Sequence, residues 1–437
     1  MVSVPILFGT QIVHARTPLK NNLQITQLAY SARLANVLYC GRMAGKKKDK
    51  LKQSDLQGFK FFKRISRLLE RLRDAGCARD RAHNRELFMD QYMTLLLLYM
   101  FSPLCTSLRG LQQASTLKKV QKVLAVPQAS LTSLSEAARL FDSQLLIGVI
   151  QEVALQLKPM PHDPRLDDVK AIITAVDGTL VPALSRVAWA LWQTDHNAIK
   201  VHLHYEVLKG VPVAARITEG KGDEREALAQ SLEPGRLYVN DRGYADYGLM
   251  QKIIDAGSHF VGRIHDNADF EVIQERELSE EALAAGVVRD AVVWLGGKKS
   301  GKKLTQPVRI VEVECTPHQK THKNGRGGPE QGETLLIATD RLDLPADVVA
   351  LIYKHRWSVE TFFNLFKHLL GCDHLLSDCQ NGIELQVYAA ILACLLIALY
   401  TGCKPTLRTT EMINWYLSGW ADEEEMAAHI TKLKKQE

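Results

Sequence analysis

The chain has 437 residues, 46% of them hydrophobic, and a formal net charge of +6 at pH 7. This length allows two or three domains, and the mild basic excess permits a nucleic-acid partner without establishing one. The eight cysteines form no CxxC pair and no paired zinc spacing, which predicts reduced, mostly buried thiols in an intracellular protein. The longest apolar runs, 95–101 and 387–400, are shorter than the ~20 residues of a membrane span. They predict core helices and no membrane partner.

The first 42 residues do not have the pattern of a folded domain. They lack sustained hydrophobic periodicity, whereas Met43 opens a lysine-rich run that is typical of a natural start. Two interpretations stay open. Residues 1–42 are either a non-native or disordered extension from an over-long gene start, or a basic, partly ordered arm.

Residues 43–160 predict a helical, basic region that binds DNA. An apolar stripe begins at Phe59 with helical spacing, and cations cover the rest of that helix. Cations at this density could neutralise DNA phosphates, although a solvated helix face gives the same pattern. The candidate DNA contacts here are Lys60, Lys63, Arg64 and Arg67. Three prolines at 159, 161 and 164 then mark a domain boundary.

From residue 165 onward the pattern predicts a mixed α/β core. Residues 165–268 contain a strand, a hairpin turning at Lys209-Gly210, and two further strands separated by helices. Residues 269–340 predict a β-rich insertion with strands near 287–295, 308–315 and 335–339. The α/β pattern resumes in 341–403, and 404–437 form a polar helical tail.

Two aspartates follow apolar strands in this core. Asp177 and Asp241 each stand where such a strand is predicted to end and a glycine-containing turn begins. Active sites of open α/β sheets lie at the carboxyl ends of strands. Turn and helix-capping roles are the alternative for each aspartate alone.

The stretch from residue 353 to residue 367 has the most informative pattern in the chain. On a helix with ~100° per residue, one narrow face carries polar side chains and the opposite face is apolar. The polar side chains belong to Tyr353, Arg356, Glu360, Asn364 and Lys367. A row roughly 21 Å long suits several phosphates of a nucleic-acid strand better than a small-molecule pocket. A solvated face with i, i+4 ion pairs is the alternative, and the neighbouring Trp357 argues against it.

Glu360 adds a third carboxylate to Asp177 and Asp241, and the fold could bring all three to one point. Hard carboxylate oxygens suit Mg²⁺ or Mn²⁺. Two such ions about 3.5–4 Å apart activate a nucleophile and stabilise the leaving oxygen in phosphoryl transfer.

These motifs resemble those of bacterial insertion-sequence transposases of the DDE class, in the group called insertion-sequence family four. The signature of that group, Tyr-x2-Arg-x3-Glu-x6-Lys, is matched without deviation from Tyr353 to Lys367. The aspartate blocks Val-Asp-Gly-Thr at 176–179 and Asn-Asp-Arg-Gly-Tyr at 240–244 match as well. The resemblance covers roughly residues 90–400.

The resemblance implies a ribonuclease-H-like core with a β insertion and a helical DNA-binding region before it. It implies metal-dependent cleavage of the element's terminal inverted repeats by Asp177, Asp241 and Glu360, followed by joining of the 3′-hydroxyls to target DNA. Mg²⁺ would be the cofactor, with Mn²⁺ as a substitute, and the protein would act as a dimer on paired double-stranded ends in the bacterial cytoplasm, at the nucleoid. Tyr353, Arg356 and Lys367 would contact DNA, with Asn364 beside them.

Relatives of this group stack a flipped base on an aromatic side chain of the insertion. Trp294 is the only tryptophan in that segment, although a tryptophan on a strand is more often part of the core. Two other functions stay open: a catalytically idle or domesticated DNA-binding regulator, and a host nuclease of the same fold. The intact set of three carboxylates argues against a regulator, because binding alone does not require them.

Overall fold

The computed structural model describes residues 68–435 with short gaps, together with a hairpin of two-residue strands, Leu7–Phe8 and Gln11–Ile12. The gaps are residues 82, 103, 184–186, 194–195, 298–303, 315–332 and 372–374. The chain divides into two compact units, Met1–Asp55 and Leu56–Glu437. Most of the predicted extension lies outside the described residues, as do the candidate DNA contacts Lys60, Lys63, Arg64 and Arg67.

A single helical turn, Leu72–Ala75, and five longer helices precede the sheet in the described part of the chain. The longer helices are α1 (Met89–Phe101), α2 (Leu108–Ser115), α3 (Lys118–Leu124), α4 (Leu131–Leu140) and α5 (Leu145–Leu155). Ser107 and Ser130 begin α2 and α4 by accepting hydrogen bonds from the N–H groups of Gly110 and Ser133, which satisfies donors that a helix start leaves free. The apolar α1 is buried along nearly its whole length, as its sequence predicts.

The core sheet has the ribonuclease-H-like strand order. Its strands are β1 (Ile172–Ala183), β2 (Leu191–Gln193), β3 (His196–Glu206), β4 (Val211–Glu219), β5 (Arg236–Asn240) and β6 (His259–Arg263). The order across the sheet is β4–β3–β1–β5–β6, with β2 on the end of β3. Strand β3 is antiparallel to its neighbours β1 and β4, whereas β5 is parallel to its neighbours β1 and β6. Helix α6 (Glu224–Ala229) connects β4 to β5, and helix α7 (Tyr247–Asp255) connects β5 to β6.

The predicted β-rich insertion extends the core sheet instead of forming a separate one. Its strands are β7 (Phe270–Glu275), β8 (Val287–Leu295), β9 (Val308–Glu314) and β10 (Thr334–Thr339), with helix α8 (Glu280–Ala284) between the first two. The order continues as β6–β10–β9–β8–β7, and each of these pairs is antiparallel. The sequence predicted the last three strands and missed β7, whose residues are mostly exposed.

A buried ion pair holds the insertion together. Arg309 and Asp290 are 1% and 3% exposed and make two hydrogen bonds of 2.6 Å, and Arg309 also donates to the Leu344 carbonyl. Replacing Asp290 by alanine leaves a buried guanidinium unpaired, and we expect it to lower the free energy of unfolding by about 3–5 kcal/mol. Urea denaturation followed by circular dichroism measures the change.

The matched control is Glu275→Ala, which removes the exposed carboxylate paired with Arg289. An exposed pair contributes at most about 1 kcal/mol. Equal losses of unfolding free energy in both variants would show that the buried pair stabilises the fold no more than the exposed pair does.

Five helices follow the sheet in the described residues: α9 (Ala346–Lys354), α10 (Trp357–Leu370), α11 (Gln380–Thr401), α12 (Leu407–Leu417) and α13 (Glu423–Lys434). By length and composition α11 could cross a membrane, but 89% of its most apolar window is buried inside the protein. It packs against α1, α5 and β4 as a core helix. The core assignment is therefore confirmed. The prediction had rested on the short length of the apolar run 387–400. That argument was wrong, because the helix that contains this run has 22 residues.

The stretch from residue 353 to residue 367 is not one continuous helix, as the sequence had suggested. Helix α9 ends at Lys354 and α10 begins at Trp357. In between, the N–H groups of Arg356 and Ser358 bond to carbonyls three residues back. A turn of this kind has about 3.0 residues instead of 3.6, so the roughly 21 Å length expected of one straight helix does not hold across the junction, although Arg356 still bonds to Glu360 across it.

Candidate active site

Three charged side chains of the candidate site form a row across the parallel strands. Ala175 on β1 pairs with Val239 on β5, and Asn240 on β5 pairs with Gly262 on β6. Continuing the first register by two residues and the second by one places Asp177 beside Asp241 and Asp241 beside Arg263. Adjacent strands lie about 4.8 Å apart, so the sheet itself brings the two carboxylates together.

The surroundings of Asp177 differ from the prediction in one respect. The sequence predicted that the strand ends at Asp177, but β1 continues to Ala183 because β3 pairs with it along residues 174–183. The parallel neighbour β5 does end here, at Asn240. Asp177 therefore lies at the carboxyl end of the parallel pairing, where a site is expected, and Asp241 begins the turn as predicted.

Each aspartate is held by a backbone N–H close to it in the chain. The Gly178 N–H donates to Asp177 Oδ1 at 2.8 Å, and the Gly243 N–H donates to Asp241 Oδ1 at 2.8 Å. The second bond also caps a short 3-10 turn, Arg242–Tyr244. Both carboxylates thus have one oxygen fixed, which limits the directions in which the other can point.

Glu360 reaches this row from helix α10. The helix is anchored by the ring of Phe362, whose centroid is 5.2 Å from that of Tyr205 on β3. Tyr205 pairs across the strands with Ala175, which is on the same face of β1 as Asp177 because side chains alternate along a strand. The aromatic contact therefore holds α10 over the face that carries Asp177.

The charges of these groups affect one another. Burial, followed by the negative charge of Asp241, raises the pKa of Asp177 to about 7, with a smaller contribution from Glu360. The guanidinium of Arg356 opposes this shift. Arg356 is buried, and its Nη1 donates to Glu360 Oε1 at 2.5 Å. The site therefore consists of three interacting carboxylates and one buried cation.

The donor set has the chemistry of a divalent metal site. A buried carboxylate beside other carboxylates, such as Asp177, is stabilised by a multivalent cation, and carboxylate oxygens are preferred ligands of Mg²⁺ and Mn²⁺. Across the residues that the structure describes, no group of three His, Cys, Asp or Glu side chains is close enough to hold one ion together. Glu360 is instead engaged by Arg356.

Tyr353 and Arg263 complete the site, and the sequence had pointed only to the first. Burial raises the pKa of Tyr353, while Arg356, which is hydrogen-bonded to it, and Arg263 lower it. The buried Nε atoms of Arg263 and Arg356 have no hydrogen-bond partner among the described residues. Arg263 lies at the end of β6 without a recognisable motif. Only the register of the parallel strands identifies it.

The other predicted DNA contacts lie further away. Asn364 and Lys367 follow Glu360 on α10, and Lys367 is about 10 Å along the axis from Glu360. The face of Glu360, Asn364 and Lys367 is preserved, since their spacing lies within one helix. Trp294 lies on β8, half-buried, on the face opposite the fully buried Val293 and Leu295. Its role in base stacking stays a prediction.

Comparison with known proteins agrees with this geometry. A family model described as "Transposase DDE domain" matches residues 169–396, which include all three carboxylates. The chain is 27% identical over 250 residues to a putative transposase, y4zB, of Sinorhizobium fredii, covering 56% of this chain and 66% of that protein. It is 25% identical over 227 residues to a probable transposase for insertion sequence element IS5377 of Geobacillus stearothermophilus, covering 52% and 55%.

A third relative is a putative transposase for insertion sequence element IS4SA of Synechocystis sp.. It is 22% identical over 260 residues, which cover 58% of this chain and 68% of the relative. The chain thus spans between about half and two thirds of the length of the curated relatives it matches.

Proposed function

Because the chain belongs to the family of transposases with a DDE domain, we propose that it is a DNA transposase. It binds the terminal inverted repeats of its own insertion sequence, cleaves them, and joins the freed 3′-hydroxyls to target DNA. The observation that carries this proposal is the row of Asp177 and Asp241 across parallel strands, with Glu360 and Arg356 held above it. Domains of this family depend on divalent metal ions, and we propose that Mg²⁺ is the ion, with Mn²⁺ as a substitute.

The residues that would hold the metal are Asp177, Asp241 and Glu360. When bound, divalent ions supply activation of the attacking hydroxyl and stabilisation of the leaving oxygen in phosphoryl transfer. The protein contributes the fixed spacing of the two aspartates, which the strands set. It also contributes Arg356, whose charge offsets part of the repulsion among the carboxylates.

The scissile phosphate would bind between the carboxylates and the arginines. Arg263 and Arg356 each have a buried Nε without a partner in the part of the chain that the structure describes. Buried polar atoms are normally hydrogen-bonded, so unused donors beside an acidic site favour an anionic ligand. A DNA phosphate between the arginines would accept these bonds, and the Tyr353 hydroxyl could donate to the same group.

The remaining predicted contacts would bind DNA further from the cleavage site. Asn364 and Lys367 would follow the strand from the cut, and Trp294 on the insertion would stack a displaced base. Paired ends favour a dimer of the protein on two terminal repeats, and such a protein would act in the bacterial cytoplasm at the nucleoid.

Metal dependence is a first test of the proposed function. We expect the full-length protein to nick DNA carrying its own flanking repeats in Mg²⁺ or Mn²⁺, because the ligands are all carboxylates. In Ca²⁺ we expect the same end binding with little cutting. Gel assays of binding and nicking in each ion measure both. Full cleavage in excess chelator would overturn the proposal.

Lys367 is expected to bind a phosphate away from the cut, because it lies about 10 Å from Glu360 along the helix. Lys367→Ala should weaken end binding and reduce the slope of log affinity against log salt by roughly one. End affinity measured at four salt concentrations determines the slope. Lys354→Ala, an exposed lysine at the end of α9, is the control and should leave it unchanged. An unchanged slope for Lys367→Ala would show that Lys367 does not bind a DNA phosphate.

A further inference from the structure

The glycines that follow the two aspartates of the proposed site lie near one and the same carboxylate. A Cβ placed on Gly178 would lie 2.7 Å from Glu224 Oε1, and a Cβ placed on Gly243 would lie 3.8 Å from Glu224 Oε2. Gly178 belongs to β1, and Gly243 belongs to the turn after β5, so a single side chain lies beside two separate backbone segments. A larger residue at Gly178 would displace the carboxylate.

Lys200 fixes the position of this carboxylate. Its Nζ lies 3.2 Å from Glu224 Oε1 and donates to the Gly222 carbonyl at 3.0 Å. The two side chains are only 17% and 28% exposed. Lys200 is on β3 opposite Leu180 of β1, so the ammonium is attached to the same rigid sheet as the site. It also neutralises a fourth carboxylate that would otherwise add to the local negative charge.

The contact with the glycines reaches the aspartates through the backbone. Gly178 and Gly243 are the residues whose N–H groups hold Asp177 Oδ1 and Asp241 Oδ1, each at 2.8 Å. A shift of the backbone at either glycine therefore moves a carboxylate oxygen. If Glu224 is shortened, Gly178 loses the carboxylate that packs closely against it, and Gly243 loses a neighbouring oxygen. The directions of the two aspartate carboxylates are then free to vary.

We propose that the Lys200–Glu224 pair is a positioning element that fixes the directions of the Asp177 and Asp241 carboxylates, and with them the affinity of the site for a divalent cation. The inference rests on the proposed function, because it assumes that these aspartates bind metal. Neither member of the pair touches the reacting atoms. Loss of an outer group that orients a metal ligand typically weakens metal binding by 10–100-fold.

The experiment is a titration of the full-length protein with Mn²⁺ in the absence of DNA, followed by electron paramagnetic resonance of the free ion. Asp177→Asn identifies the binding that belongs to the site. Glu224→Ala should raise the Kd for Mn²⁺ at least about tenfold. Glu224→Gln keeps the shape that contacts the glycines and should stay within about threefold of the wild type.

Two variants separate positioning from general stability. Glu226→Gln changes an exposed carboxylate on the same helix and should leave the Kd unchanged. If Glu224→Ala does not fold, as judged by circular dichroism, Lys200→Met tests the same pair and should weaken Mn²⁺ binding several-fold. A purely structural role would lower the melting temperature of these variants and leave the Kd of the folded protein unaltered.

Different results overturn the two proposals. If the wild type and Asp177→Asn bind Mn²⁺ equally, the site holds no metal, and the proposed function fails together with this inference. If Asp177→Asn loses binding but folded Glu224→Ala and Lys200→Met match the wild type, only the positioning role is overturned. A loss in Glu224→Gln as large as in Glu224→Ala would also contradict it, because the shape of the side chain is retained.

Discussion

Replacing any one of the three carboxylates with alanine is expected to abolish strand cleavage and leave binding of end DNA largely intact. Asp177, Asp241 and Glu360 interact electrostatically within one site, and each would supply metal ligands that the others cannot replace. We expect the rate of nicking to fall by at least about 100-fold, the usual loss when one preorganised catalytic group is removed. Single-turnover nicking and gel-shift binding, measured on the same end DNA, determine both quantities.

The control for these variants is Asp255→Ala, which removes an exposed carboxylate at the end of α7. It should cleave and bind as the wild type does. Nicking at a near-native rate by one of the three alanine variants would remove that residue from the site. A parallel loss of DNA binding would instead indicate that the residue maintains the fold.

Arg356→Lys is expected to lower cleavage much more than binding. The guanidinium of Arg356 is buried, bonds to Glu360 and lies 5.4 Å from the centre of the Trp357 ring. Lysine keeps the charge but loses the planar array of donors that can bind a carboxylate and a phosphate together. We expect a 10–100-fold lower nicking rate, as for other groups that orient a metal ligand.

End affinity of Arg356→Lys should stay within about threefold of the wild type, since one cation replaces another. The matched control is Arg139→Lys, whose exposed side chain pairs with Asp378 on the surface. An unchanged nicking rate in Arg356→Lys would mean that Arg356 serves only as the ion-pair partner of Glu360 and not in cleavage. Equal losses of nicking and binding would indicate that Arg356 contributes to DNA binding and has no separate role in cleavage.

The sequence predicted those parts of the site that depend on local spacing. Glu360 and Lys367 lie on one helix, and the apolar residues of that stretch, such as Val359 and Phe366, are buried as expected. The continuous helix back to Tyr353 was wrong, because a tighter turn of hydrogen bonds at the junction does not change the hydrophobic pattern. Sequence periodicity does not distinguish one continuous helix from two helices joined by a tighter turn.

The residues that sequence reasoning missed are those that long-range contacts bring to the site. Arg263 lies beside Asp241 only because β5 and β6 are parallel in that register. Glu224 lies near Gly178 and Gly243 only because α6 packs against β1 and against the turn that follows β5. Neither residue has a distinctive neighbour in the chain. The strand order and register, which fix both contacts, depend on the packing of the whole sheet.

The most direct test of a transposase acting through this site is an end-joining assay. Pre-cut end DNA, labelled on the strand with the free 3′-hydroxyl, is incubated with the full-length protein, a supercoiled target plasmid and Mg²⁺. We expect the label to become covalently attached to the plasmid with the wild type, and no attachment with Asp177→Asn. Binding of the ends without joining would indicate a regulator. Cutting of the plasmid without attachment of the label would indicate a nuclease, and either result would contradict the proposed function.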